Sequence, residues 1–260
     1  MELDLKGKVV IVTGGARGIG RDVVEGFAGE GASVVVSDIL SDGASELTKK
    51  LAQDEVKALA VRTDVTSKSD ADNLVTATLK EFGQIDFLVN AAGIVQDIRF
   101  IDIEEAGWDR VLDINAKGTY LITRAVIPHM MAARYGKIVN ISSRSGKEAH
   151  PGLVHYAASK FAVIGLTTGL AKELAEYDIN VNAVCPGILR TAMWKEILNA
   201  RSARTGIPRE EIFAKVVDTI PLKRPQELVD ITSVVLFLSS EISRNITGES
   251  VSVNGGVCMD

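Results

Sequence analysis

The chain has 260 residues, of which 46% are hydrophobic and 24% charged, and a formal net charge of -5 at pH 7. A chain of this length buries enough apolar surface to hold a core without a metal or a disulfide, and its acidic balance argues against nucleic acid or an anionic membrane as the partner. Its two cysteines, Cys185 and Cys258, show no CxxC or Cys/His ligand spacing, so no metal site is expected and two free thiols fit a reducing compartment. The opening MELDLKGK lacks a basic segment followed by an apolar one, and no apolar run is long enough to span a bilayer. The expected location is the cytoplasm.

In chain order, Val9–Thr13 (VVIVT) is a short β-branched run of the kind buried on both faces of a parallel sheet. A glycine-rich turn and a helix over about 19–29 follow. Ser33–Asp38 (SVVVSD) is the next strand, and 58–65, 85–93, 136–143, 179–187 and 250–256 supply five more. Amphipathic segments fill the intervals. Such alternation implies βαβ units with right-handed crossovers. The expected fold is α/β: one Rossmann-like doubly wound parallel sheet over 1–260, with helices on both faces. The rhythm breaks once. Residues 188–220 read as one or two helices interrupted near Gly206 and Pro208, placed where a substrate lid over the carboxyl edge of the sheet belongs.

The turn after the first strand is TGGARGIG, with glycines at 14, 15, 18 and 20. Backbone without Cβ lets a pyrophosphate approach, and the helix that opens there offers free N–H groups and a partial positive charge. Following a strand and opening a helix, this turn predicts a dinucleotide site. Asp38 ends the second strand, where a carboxylate accepts from the adenosine ribose hydroxyls and repels a 2′-phosphate. NAD is therefore preferred over NADP, although Arg17, inside the turn, is suited to a 2′-phosphate.

Tyr156 and Lys160 stand four apart in a helical stretch and share a face. A tyrosine is a poor base near neutrality, and a neighbouring ammonium favours its phenolate. Tyr156 is thus suited to take an alcohol proton or to donate one in reduction. Ser143, at the tip of the strand GKIVNISS, is placed to hold the substrate oxygen against it.

These residues together resemble the short-chain dehydrogenase/reductase family over essentially the whole chain. TGGARGIG resembles its TGxxxGxG cofactor turn, NAAG (90–93) its NAG motif, and PGILRT (186–191) its nicotinamide-side segment. Asn115, Ser143, Tyr156 and Lys160 fall at its catalytic tetrad. The resemblance implies that Tyr156 is the acid/base, that Lys160 lowers the tyrosine pKa and holds the nicotinamide ribose, that Ser143 orients the substrate, and that Asn115 supports a proton path through water. It implies cofactor contacts from Gly14, Arg17, Gly18, Ile19, Gly20 and Asp38, from Asp64 and Val65 at the adenine, and from Asn90, Ala91 and Gly93 beside the ribose. Beyond Tyr156 and Lys160 themselves, Pro186, Gly187, Ile188 and Thr191 would meet the nicotinamide end, Ile188 through its backbone N–H. It also implies a homotetramer.

The expected pocket walls are 145–154, 95–98, Met193 and Trp194, with Ser143, Ser145, Glu148, His150, Tyr156 and Trp194 touching substrate. The segment SRSGKEAHPGLVHY is polar for a pocket wall, carrying Arg144, Lys147, Glu148 and His150. Such groups suit hydroxyls, or an anionic group met by Arg144, Lys147 or His150, better than a steroid or long acyl chain. GKEAH is also similar to members acting on polyols and sugars. The expected substrate is a polyol, sugar or small hydroxy acid. His129 is expected at the surface, and His155 turned away from Tyr156. The alternatives are an NADPH-dependent 3-oxoacyl thioester reductase and a non-catalytic nucleotide-binding scaffold.

Overall fold

The computed structural model describes residues 3–259; Met1 and Glu2, the start of the segment read above as carrying no leader, and Asp260 lie outside the described residues. The strands are β1 (Val9–Thr13), β2 (Ser33–Asp38), β3 (Ala58–Arg62), β4 (Phe87–Asn90), β5 (Gly136–Ile141), β6 (Ile179–Pro186) and β7 (Ser250–Val253). They form one parallel sheet in the order β3-β2-β1-β4-β5-β6-β7. The helices are α1 (Gly18–Gly29), α2 (Ser41–Gln53), α3 (Lys68–Phe82), α4 (Glu105–Leu112), α5 (Gly118–Ala133), α6 (Val154–Leu174), α7 (Ala192–Thr205), α8 (Arg209–Asp218) and α9 (Leu228–Ser239). The order reverses between β1 and β4, which opens a crevice at their carboxyl ends, where doubly wound sheets take ligands.

The alternation of β1 shows why the sheet is apolar on both faces. Val10 and Val12 pack with Val24, Phe27, Ile231 and Val235 of α1 and α9, while Val9 and Ile11 pack with Leu74, Ile122, Val126 and Met130 of α3 and α5. Each fully buried side chain of this size contributes about 1.5–3 kcal/mol. Gly26 lets α1 and α9 approach closely: a Cβ there would stand 2.5 Å from the Thr232 methyl.

Five strands end earlier than their sequence pattern suggests. β3 stops at Arg62, β4 at Asn90, β5 at Ile141, β6 at Pro186 and β7 at Val253. Past those points the chain leaves its ladder partners, and the residues beyond turn over the carboxyl edge. The excursion after β6 is helical, as expected, with α7 closed by Gly206 at φ +72 and α8 entered through Pro208. It covers a third apolar cluster: Val95, Val111, Leu153, Tyr156, Ile188, Trp194, Ile197, Phe213 and Ile220.

Candidate active site

The turn between β1 and α1 is a cradle that side chains would fill. Gly14 sits at φ +67, and a Cβ there would stand 2.8 Å from the Ala92 backbone; a Cβ on Gly20 would overlap the Gly14 carbonyl oxygen. Gly18, at φ +56, and Ile19 begin α1, whose first turn holds no acidic residue and no side-chain cap. Its N–H groups are thus free for an anion such as a pyrophosphate. Arg17 caps the helix with an exposed side chain. Thr13 binds this turn to the NAAG segment: its Oγ1 accepts from the N–H of Ala91 (3.1 Å) and Ala92 (3.2 Å).

Asp38 is only 8% exposed. Its Oδ2 accepts from the Ala16 N–H and its Oδ1 from the Leu40 N–H, both at 2.9 Å. The carboxylate therefore fixes the glycine turn against the end of β2, and Leu40, not Asp38, stands at the N-cap of α2.

Asp64 accepts from Thr66 N–H and hydroxyl through Oδ1, while Val65 is buried against Gly118. Asn90 is tied into the fold through its amide nitrogen. Its Nδ2 donates to Thr123 Oγ1 and Asn140 Oδ1, both at 2.9 Å, so its side chain belongs to a polar link between the sheet and α5. Ala91 and Gly93 are half-buried beside it.

Asn115 lies in a π-helical turn, Asp113–Lys117, between α4 and α5. Wider turns of this kind often occur at functional sites. Fully buried, Asn115 accepts from the Ile94 N–H (2.8 Å) and donates to the Ile94 carbonyl (2.9 Å) and to Ser159 Oγ (3.0 Å). Ser159 in turn donates to the Tyr156 carbonyl. Asn115 thus ties the loop after β4 to the helix that carries Tyr156. Gly93 has to be small here, because a Cβ would stand 3.2 Å from Asn115 Oδ1 and 3.5 Å from Lys160 Nζ.

Tyr156 and Lys160 stand one turn apart on α6, and Ser143 follows the end of β5. Ser143 Oγ accepts from the Ser145 N–H at 3.0 Å, and the Ser143 side chain acts on the Tyr156 phenol. Lys160 Nζ donates to the Ile141 carbonyl at 2.8 Å and lies 5.8 Å from the Tyr156 ring centroid. Burial lowers the lysine pKa to about 8. Burial also pushes the Tyr156 phenol above its ordinary value, and only Ser143 pulls it down. The expected lowering by Lys160 is therefore not met in the protein alone. Desolvation penalises both charged forms, the phenolate and the ammonium alike.

At the far end, Pro186 closes β6 and Gly187 lies against Gln226 and Asn254. The Ile188 N–H, expected to be open to a cofactor, donates instead to Gln226 Oε1, and the Gln226 N–H donates back to the Ile188 carbonyl at 2.9 Å. Thr191 is the N-cap of α7, accepting from the Trp194 N–H at 3.4 Å.

The polar wall is less polar than its sequence. Lys147 reaches away to the Ser250 carbonyl and Ser252 Oγ of β7, and Glu148 is exposed. Arg144 and Ser145 follow Ser143 directly, His150 is half-buried, and Trp194 closes the apolar side edge-on to Phe213. His155 is buried and meets Gln96 Oε1 at 3.2 Å, while His129 is exposed. Sequence reasoning gave no role to Thr13 of the glycine turn, Asp97 of the 95–98 wall, Ser159 or Gln226. Asp97, its side chain fully buried, accepts from Arg201 Nε and Arg204 Nη2 of α7, both at 2.7 Å. Their long-range partners lie far along the chain, so the motifs that contain Thr13 and Ser159 did not show what those side chains hold. Among the described residues, no group of three metal-ligating side chains comes together, and no helix is long and apolar enough to cross a membrane.

This crevice is that of a nicotinamide-dependent oxidoreductase, and residues 8–202 match the short chain dehydrogenase family, to which the chain belongs. The 3-oxoacyl-[acyl-carrier-protein] reductase FabG of Thermotoga maritima is 38% identical over 253 residues, covering 97% of this chain and 98% of that protein. The oxidoreductase UcpA of Salmonella typhimurium is 37% identical over 253 residues, 97% of this chain and 95% of that one. Among solved structures, an NAD+-bound xylitol dehydrogenase superposes with a TM-score of 0.93 at 30% identity, covering 97% of this chain and 100% of that one. A levodione reductase gives 0.91 at 29% identity, covering 96% and 97%.

Proposed function

We propose that this protein transfers hydride between NAD and a secondary alcohol or ketone, most suitably a polyol, sugar or small hydroxy acid. The observation that carries the reading is the convergence of Ser143, Tyr156 and Lys160 at the carboxyl edge of the sheet, next to the glycine cradle. Gly14, Arg17, Gly18, Ile19 and Gly20 would hold the pyrophosphate, Asp38 the adenosine ribose, and Lys160 the nicotinamide ribose. When bound, the nicotinamide supplies the hydride acceptor or donor. Ser143 holds the substrate oxygen. Tyr156 takes the hydroxyl proton in oxidation and returns one in reduction. Positive charge from Lys160 and from an oxidised nicotinamide ring would together overcome the desolvation that keeps the phenol protonated.

Asp38 supports NAD, because a 2′-phosphate beside a buried carboxylate is repelled. The NAD+-bound xylitol dehydrogenase fold points the same way. The second reading, an NADPH-dependent 3-oxoacyl thioester reductase, is favoured by the names of the curated relatives. A non-catalytic scaffold has no observation in its favour. We further read α7 and α8 as the lid, the cytoplasm as the location, and a homotetramer as the assembly.

The test is absorbance of reduced nicotinamide with NAD or NADP against polyols, sugars, hydroxy acids and 3-oxoacyl thioesters. Turnover with NAD on one of the first three supports the reading; turnover confined to NADPH and thioesters replaces it with the second. Tyr156→Phe should lower kcat by about 1,000-fold while nucleotide binding, followed by its fluorescence, is kept.

A further inference from the structure

Arg144 is the residue that the fold leaves in an uneconomical state. It follows Ser143 directly, opens the short 3-10 turn Arg144–Gly146, and is half-buried. Among the described residues its guanidinium has no hydrogen-bond or ion-pair partner. The carboxylate that acts on it, Glu148, is exposed and forms no ion pair with it. A guanidinium carries five donors, and here the protein uses none of them although the side chain is partly drawn out of water.

Its surroundings make the vacancy specific. His150, six residues on, has its Nε2 buried with no hydrogen-bond partner. Arg201 of α7 adds a second positive charge to the same neighbourhood and acts on both Arg144 and His150. The negative charge that might have neutralised Arg201 is divided, because Asp97 gives one oxygen to Arg201 and the other to Arg204. Two positive charges, Arg144 and Arg201, thus act on His150 against the single carboxylate of Glu148, and burial first, then Arg144, holds the His150 pKa below its usual value. Polyols and sugars carry no charge that would complete such a site. A carboxylate completes it, because its two oxygens match the guanidinium fork.

Resting on the function proposed above, we infer that the substrate is a short hydroxy acid whose carboxylate is bound by Arg144, with His150 Nε2 as a further donor. In oxidation the carbinol carbon gives its hydrogen as hydride to NAD, the hydroxyl proton passes to Tyr156, and the product is the keto acid. The carboxylate is unchanged. Arg144 here is a specificity-determining residue and takes no part in proton transfer.

The experiment compares 2- and 3-hydroxy carboxylates with the matching neutral diols, in which the carboxylate is replaced by a hydroxymethyl group. The wild-type protein, Arg144→Met and Arg144→Lys are each assayed with NAD. For the wild type, kcat/KM for the preferred acid should exceed that for its diol by about 100-fold. Arg144→Met should remove about that factor, chiefly through KM, and leave the diol within about threefold. Arg144→Lys should recover part of it. Equal turnover of acid and diol by the wild type overturns the carboxylate site while sustaining the alcohol dehydrogenase reading. So does an equal loss on both substrates in Arg144→Met. Absence of turnover across every pair overturns both. The wild-type comparison stands even where a variant fails to fold.

Discussion

Lys160 shows what burial does to a functional group. Its ammonium is held by one carbonyl, from Ile141, inside a desolvated pocket, and its pKa falls to about 8 against an ordinary value of 10.5. Between those values the unfolded chain holds a proton that the folded one has released. Stability contributed by this residue therefore rises with pH across that window and is lowest below pH 8, where the buried charge is carried. Lys160→Met should flatten that rise: it stabilises the protein against urea at pH 7 and leaves it close to wild type near pH 10. A variant less stable than wild type at pH 7 would contradict this account. Tyr156 titrates the other way, held protonated by burial. The residue identities of this centre were legible in the sequence because a YxxxK pair, a serine-tipped strand and a glycine turn are local patterns. Its electrostatics were not, because desolvation depends on Leu153, Ile188 and Trp194, which come from elements far apart in the chain.

At the scale of elements, the seven strands and the break after β6 followed from β-branched runs and from Gly206 and Pro208. The start of every strand except β4 matched its pattern, but five strand ends did not. Side-chain alternation continues into segments such as Ala91–Gly93 and Ser142–Ser143 after the ladder has run out, and those released residues make the site. The fastening of α7 was invisible for another reason: Asp97 and Arg201 are 104 positions apart. A carboxylate so fully buried between two arginines is costly to remove from one side, about 3 kcal/mol or more. Asp97→Ala should accordingly speed amide exchange in α7 while β1, β4 and β5 keep their protection. Unchanged exchange in α7 would show that Trp194 and Ile197 hold the helix without it.

For the molecule as a whole, the doubly wound parallel sheet was implied by alternation and handedness, while the strand order, with its reversal between β1 and β4, came from the structure. Assembly is a property the single chain expresses only through what it leaves uncovered. Tyr120 of α5 and Phe161 of α6 are each 46% exposed. Between them, α6 carries Gly165 and Gly169, small enough for a second helix pair to approach. Light scattering is expected to give a mass of four chains, and Phe161→Asp a smaller species. A wild-type monomer would remove the homotetramer.

The bond from Ile188 to Gln226 bears on how quickly a nucleotide can settle. A carboxamide seeking that N–H would meet an acceptor already in place, so its arrival is an exchange of partners and not an addition. Entry would then divide into a fast encounter, set by concentration, and a slower unimolecular rearrangement in which the glutamine withdraws. The observed rate would climb with nucleotide concentration and then level off at the rate of that withdrawal.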